Sequence, residues 1–231
     1  MARVSLPDHM KEQPPEPEAQ ENVGPYLTIS RQFGCYGFSL GMLLLEVLNE
    51  DASPEQMWRI YHKEILDRLA TESNMAAEMI ERERRNKPRL IVDFFRALSK
   101  ERVPSGYEIR NRITTIIRGL AAQGHAIIIG QGGSGATADL PNGLSVRLEA
   151  PEDWRVRQIA FREGLTENEA RISMQAKEQE REYLRKIYER QFHRRPAFNL
   201  IYDCSVFSLA QIAQQVAYAM KLKGMRTPPK T

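Results

Sequence analysis

Several things are scarce in this 231-residue sequence, and each scarcity closes off a class of protein. Cysteine appears only as Cys35 and Cys204, far apart in the chain and in no metal-ligand spacing. A disulfide-stapled scaffold and a zinc module are therefore excluded, and two free thiols in a reducing cytosol are expected. Apolar runs are short, and none approaches the ~20 residues needed to span a bilayer. The N-terminus lacks the basic-then-apolar layout of a signal peptide, so the expected location is cytoplasmic, with no membrane partner. Excess charge is small as well: the net value is +3. That is too little for the broad basic face duplex DNA requires, and no nucleic-acid partner is expected. The four histidines, His9, His62, His125 and His193, share no metal-ligand spacing with each other or with a cysteine.

What charge there is clusters. Arg181, Arg185, Lys186, Arg190, Arg194 and Arg195 fall within one stretch, which suits a phosphate-bearing ligand and equally a solvated helix face. Residues 1–24 carry Pro14, Pro15 and Pro17 among Glu and Gln, have little to bury, and read as a disordered, dispensable arm. Residues 224–231 read as a frayed tail.

Between them, strand patterns alternate with helical ones, which predicts an α/β sheet. Tyr26 to Ser30 is a short strand pattern, followed by a glycine-bearing turn and a helix with Leu40, Leu43, Leu44, Val47 and Leu48 at helical spacing. Residues 54–122 read as almost wholly helical, with Trp58, Ile65, Leu66 and Leu69 able to share a face and a possible fifth strand near 58–62. Ala126 to Ile129 is continuously apolar, as in a strand buried on both faces. Leu144 to Leu148 is another strand, then Pro151, Glu152 and Asp153 open a helix. Thr166 and Glu169 form a capping box for a long helix reaching about Arg190. Phe198 to Tyr202 is a strand, and Ser208 caps the last helix.

The first strand, turn and helix form a potential anion site, because backbone N–H groups and the helix dipole both favour negative charge there. The turn reads Ser30-Arg31-Gln32-Phe33-Gly34-Cys35-Tyr36-Gly37-Phe38-Ser39. Gly34 and Gly37 permit tight turning, and Ser39 stands where a phosphate-loop hydroxyl would reach magnesium. No lysine precedes Ser39, so the standard phosphate-loop pattern is not met, and an ordinary strand–turn–helix junction fits the same residues. Gln131-Gly132-Gly133-Ser134-Gly135 follows a buried strand, where ligands gather in α/β sheets; it also fits a plain glycine-rich connection.

Four segments in order resemble the cytidylate-kinase-like family. Thr28 to Gly37 is similar to its Ile-Ser-Arg-x-Tyr/Phe-Gly-Ser-Gly-Gly opening, which already lacks the lysine. Tyr61 to Ala70 resembles its Asp-Lys-Glu-Ile-Leu helix, Gly124 to Gly132 its Val-Ile-Val-Gly-Arg-Gly strand and loop, and Val146 to Arg155 its Ala-Pro-x-Glu-x-Arg entry. The resemblance implies a three-layer P-loop kinase fold, with a mostly parallel sheet flanked by helices and a helical substrate and lid region. It divides the chain into the arm 1–24, a domain over 25–223 and the tail 224–231; within the domain lie a helical insert, 54–122, and a lid-like helix, 164–195.

The resemblance implies ATP and magnesium as cofactors, cradled by Arg31, Gly34, Cys35, Tyr36, Gly37, Phe38 and Ser39, with Ser39 on the metal. It assigns Gln131, Gly132 and Glu178 to the substrate, and Arg181 and Arg185 to the moving phosphoryl group. The implied reaction is phosphoryl transfer to a nucleoside monophosphate or similar phosphorylated acceptor. The alternative is a weak or inactive pseudokinase that binds a nucleotide or a partner. Departures feed that alternative. Tyr36 replaces a glycine and is expected to crowd the phosphate; Phe38 and Gln131 replace arginines, Glu178 an aspartate and His62 another aspartate.

Overall fold

In a computed structural model, residues 23–71, 106–189 and 198–225 are described. Five strands pair in parallel: β1 (Tyr26–Arg31), β2 (Arg59–Tyr61), β3 (Ala126–Ile129), β4 (Gly143–Glu149) and β5 (Leu200–Asp203). Their order is β2-β3-β1-β4-β5, so the chain leaves the central strand to one side and later returns to the other. The helices are α1 (Gly37–Asn49), α2 (Lys63–Thr71), α3 (Gly106–Gln123), the single turn α4 (Gly133–Ala136), α5 (Glu152–Glu163), α6 (Glu167–Glu189) and α7 (Leu209–Leu222).

Alternation along the strands builds two cores. Leu27 and Ile29 of β1 and Ile127 and Ile129 of β3 face one layer, where α1 and α7 cover them with Leu40, Leu44, Ile212, Val216 and Met220. Tyr26, Ala126 and Ile128 face the other, under Leu66 of α2 and Ile113, Ile116, Ile117 and Leu120 of α3. Strands apolar on both faces belong in this sandwiched position, which is why β3 reads as an unbroken apolar run. A third, smaller cluster of Val156, Ile159, Ala170 and Met174 binds α5 to α6.

Local signals fix several boundaries. Ser208 Oγ accepts the Gln211 N–H at 3.3 Å, and Gln211 Oε1 accepts the Ser208 N–H at 2.9 Å, a complete capping box. Thr166 and Glu169 make the same exchange at the start of α6. Gly164, at φ +67°, ends α5, and α3 stops at Gln123 before Gly124.

Four readings change. The helix expected to start at Pro54 is a single 3-10 turn, Pro54–Gln56, and the fifth strand expected near 58–62 is the edge strand β2; residues 72–105 lie outside the described residues. Trp58 does not share a face with Leu66, since the two sit in opposite layers. Trp58 is held before β2 by Asn49, whose Oδ1 accepts its N–H at 2.7 Å and whose Nδ2 donates to its carbonyl at 3.0 Å. The C-terminal segment begins packed, because Met225 is buried in the α1/α7 core and its N–H donates to Met220 O at 2.9 Å. The β5 strand starts at Leu200, two residues later than the apolar pattern, after Asn199 Oδ1 has accepted the Ser145 N–H at 2.7 Å.

The N-terminal boundary also moves inward. Gly24 N–H donates to Ala122 O at 3.1 Å, and Val23 O accepts from Asn142 Nδ2 at 2.9 Å. A chain starting at Val23 is expected to keep the full-length thermal midpoint, while one starting at Pro25 loses both bonds, about 1–3 kcal/mol together. Thermal unfolding of the two truncations should differ by a few degrees; identical midpoints would show the two bonds to be idle.

Candidate functional site

In a parallel sheet, ligand sites form beyond the carboxyl ends of the strands where the strand order reverses. Here that place is the end of β1, flanked by the ends of β3 and β4. Arg31 is the last residue of β1, and residues 32–36 turn the chain into α1.

That turn is held on several sides. The Gln32 N–H donates to Leu148 O at 3.0 Å, and Gln32 Oε1 accepts the Ala150 N–H at 3.0 Å. Gly34 takes φ +92° and lies so near α5 that a Cβ would come 2.8 Å from Arg155 Cβ, so glycine is required. Arg155, buried at 7% exposure, donates to Ala150 O at 3.0 Å and to Phe33 O at 3.3 Å, and pairs with Glu178 at 3.5 Å. Glu178 Oε1 also accepts the Phe33 N–H. The buried Arg155 and the half-buried Glu178 thus lock α5, α6 and the turn together.

The Arg31 side chain runs along the inside of this turn. A Cβ on Gly37 would lie 3.0 Å from Arg31 Cδ, and one on Gly130 would fall on Arg31 Nη1. Gly130, at φ +72°, opens a run of three left-handed residues with Gln131 and Gly132. Among the described residues the Arg31 guanidinium makes no hydrogen bond or ion pair. Arg181 reaches the same place from α6: its Nη1 donates to Arg31 O at 3.3 Å, and its guanidinium lies 5.1 Å from the Phe33 ring centroid. Burial, and next the charge of Arg181, lower the Arg31 pKa to about 10, while Glu64 pulls the other way. Two guanidinium groups near enough for the charge of one to depress the pKa of the other raise the local potential, which is the condition for holding an anion.

α1 adds to that field. Its first turn holds no acidic side chain, and Phe38 and Ser39 are exposed there, with N–H groups that the helix itself leaves open. Beyond Phe38 stands His62, just after β2, its ring 5.3 Å from the Phe38 ring and its Nδ1 on Glu64 Oε2. The Glu64 carboxyl sits below its usual pKa, through its own backbone N–H first and His62 second.

Of the residues singled out from the sequence, Arg31, Gly37, Phe38, Ser39, Gln131, Gly132 and Arg181 gather at this strand edge. Gly34 and Glu178 shape the turn rather than face outward. Tyr36 turns away from it, donating its hydroxyl to Gln158 Oε1 at 2.8 Å, with Arg162 5.4 Å over its ring. The expected crowding of the phosphate by Tyr36 is therefore not where its side chain goes. Cys35 is buried in the α1/α7 core against Cys204. The Arg185 side chain lies outside the described residues. Sequence reasoning did not assign Arg155, Gly130 or the His62–Glu64 pair to the site; all lie inside segments already singled out, and only their burial and contacts set them apart.

The sequence profile of the cytidylate kinase-like family matches residues 26–206. The chain belongs to the cytidylate kinase-like family. No curated protein matches it in sequence. Among solved structures, a protein from Eubacterium ventriosum superposes with a TM-score of 0.62 at 19% identity, covering 86% of this chain and 98% of its own, and so shares the fold. A Thermus thermophilus protein at 16% identity and the shikimate kinase of Bacteroides thetaiotaomicron at 14% also align, each over 87% of this chain and 98% of theirs. Their TM-scores are 0.43 and 0.44. Membership in this kinase-like family supports a nucleotide-binding, kinase-like role for the chain.

For a cytidylate kinase-like chain, the cradle makes a sharp expectation at Gly37. A Gly37→Val variant places a branched side chain against Arg31 Cδ and displaces the guanidinium. Calorimetric titration with ATP should then show no binding by a variant whose circular dichroism is native. Unaltered affinity would place the nucleotide elsewhere.

Proposed function

We propose that this protein binds ATP at the carboxyl edge of the sheet, its phosphates on Arg31 and the first turn of α1, and transfers the γ-phosphoryl group to an acceptor. The observation that carries this reading is the meeting of Arg31 and Arg181 beside Gly37 and Gly130, against which the Arg31 side chain packs closely. Phosphoryl transfer needs little covalent help from protein groups, and its catalysis is mostly positioning and charge neutralisation. Arg31 takes the part of the missing loop lysine. Arg181 binds the equatorial oxygens of the moving group, a task suited to a planar, permanently charged fork.

The residues present fit a magnesium nucleotide better than a resident metal. No group of three His, Cys, Asp or Glu side chains capable of holding an ion occurs among the described residues. Magnesium would be carried largely by the phosphates, with Ser39 Oγ as its protein ligand, and would offset charge on the β- and γ-oxygens. Gln131 and Gly132 face the acceptor. An amide in place of an arginine binds a monophosphate less well, and cytidylate recognition is correspondingly degraded.

A second reading, nucleotide binding without transfer, has its own observation: the Phe33 N–H is already taken by Glu178, and Phe38 stands where the standard loop has lysine. ADP release with ATP alone and with CMP, dCMP or UMP separates the two, with Arg181→Ala as the control. Feeble CMP turnover is expected, with a loss in Arg181→Ala of two to three decades, or roughly 2–4 kcal/mol of transition-state stabilisation. Robust CMP turnover would overturn the claim of degraded recognition. ATP binding with no turnover on any acceptor would establish the second reading.

A further inference from the structure

The chain has two cysteines, and the fold brings both to the back of the turn that cradles Arg31. Cys35 lies in the middle of that turn: its N–H donates to Gln32 O at 3.2 Å, and its carbonyl accepts the Gly37 N–H at 2.9 Å. Cys204 follows β5 directly, where its N–H donates to Glu149 O at 2.8 Å. Both are free thiols, buried in the same core cluster at 6% and 9% exposure, close enough for the two thiol groups to influence each other. Chance does not readily pair the only two thiols of a chain at its candidate site.

We propose that Cys35 and Cys204 form a redox modification site, a dithiol that closes to an intramolecular disulfide and alters the phosphate-binding turn. The second clause rests on the function proposed above; the disulfide does not. Closure shortens a thiol–thiol contact to a covalent bond of about 2.05 Å. Cys204 is anchored to β4 through Glu149 and Cys35 sits between Gly34 and Gly37, so closure is taken up by a shift of the turn. That movement shifts Gly37 and the start of α1, against which Arg31 packs.

The oxidant is a small disulfide such as oxidised glutathione. The thiolate of Cys204, next to the exposed turn at Ser205 and Val206, attacks one glutathione sulfur and releases the first glutathione thiolate. Cys35 Sγ then attacks the Cys204 sulfur; the protein disulfide forms, the mixed disulfide breaks and the second glutathione leaves. Two thiol protons pass to the two glutathiones, so two protein thiols are oxidised as one glutathione disulfide is reduced. Cys204 adjoins the exposed residues Ser205 and Val206 while Cys35 lies inside the turn, and that placement makes Cys204 the attacking sulfur and Cys35 the resolving one.

The test equilibrates the full chain with reduced and oxidised glutathione at graded ratios, followed by intact mass and peptide mapping under non-reducing conditions. The expected product has lost the mass of two hydrogens, carries no glutathione and yields one peptide pair joining Cys35 to Cys204. Cys35→Ser should instead accumulate a single glutathione adduct on Cys204. A protein that stays reduced at every ratio, or forms only intermolecular dimers, overturns the proposal. ATP titration of the oxidised and reduced forms reads the second clause: at least a tenfold weaker affinity is expected on oxidation, and equal affinity overturns that clause. A reduced protein that binds no ATP while the disulfide still forms refutes the nucleotide reading and leaves the modification site standing.

Discussion

Two guanidinium groups do not come together unless other contacts force them, and the contact between Arg31 and Arg181 is what the rest of this site is arranged around. Arg31 is forced from below: it is the last residue of the central strand, and Gly37 and Gly130 leave room only for its side chain. Arg181 is forced from above. The Phe33 ring and the Arg31 carbonyl receive it, and Glu178, one turn earlier on the same helix, is tied to Arg155 and to the Phe33 N–H. Further along, Arg171 of α6 reaches Glu152 and Asp153 at the start of α5, and the Val156–Met174 cluster fills the space between the helices. Apolar packing and the Arg155–Glu178 ion pair hold the two cations in place.

Such an arrangement has an energetic sign. The pKa of Arg31 in the folded chain is depressed to about 10, below the ordinary guanidinium value. A base with a lowered folded pKa destabilises the fold at every pH below that value, and the cost fades only as pH rises from about 10 toward the unfolded value. At neutral pH the fold therefore carries an unfavourable charge that a bound anion would relieve. Strain of this kind concentrates where a protein binds something, since stability and function compete for the same residues.

Much of the scaffold was legible in the sequence because it rests on local rules. Short strand-like runs, unbroken and apolar in β3, stood apart from the 3.6-residue periodicity of α1, α3 and α7, and the boxes at Thr166 and Ser208 marked helix starts with their own hydrogen bonds. What stayed hidden depends on contacts distant in sequence. Met225 follows a left-handed Gly224, a tail-like signal, yet it closes the core. Tyr36 is adjacent to the cradle by number, but Gln158 and Arg162 draw its side chain to α5. Glu178 reads as a replacement for a lid aspartate, whereas its partners are Arg155 and the turn's backbone. The meeting of Cys35 with Cys204 belongs to the same class, since no spacing rule pairs residues joined only through sheet order.

The most direct test of the account replaces the charge at position 31 while keeping its length. Thermal unfolding of Arg31→Met and wild type, each with and without magnesium ATP at neutral pH, measures cost and use together. The account predicts a higher midpoint for ligand-free Arg31→Met, by a few degrees for each kcal/mol of relieved burial, and no further rise on adding ATP, while wild type does rise. An Arg31→Met protein that is no more stable than wild type and keeps its full ATP-dependent rise would contradict it.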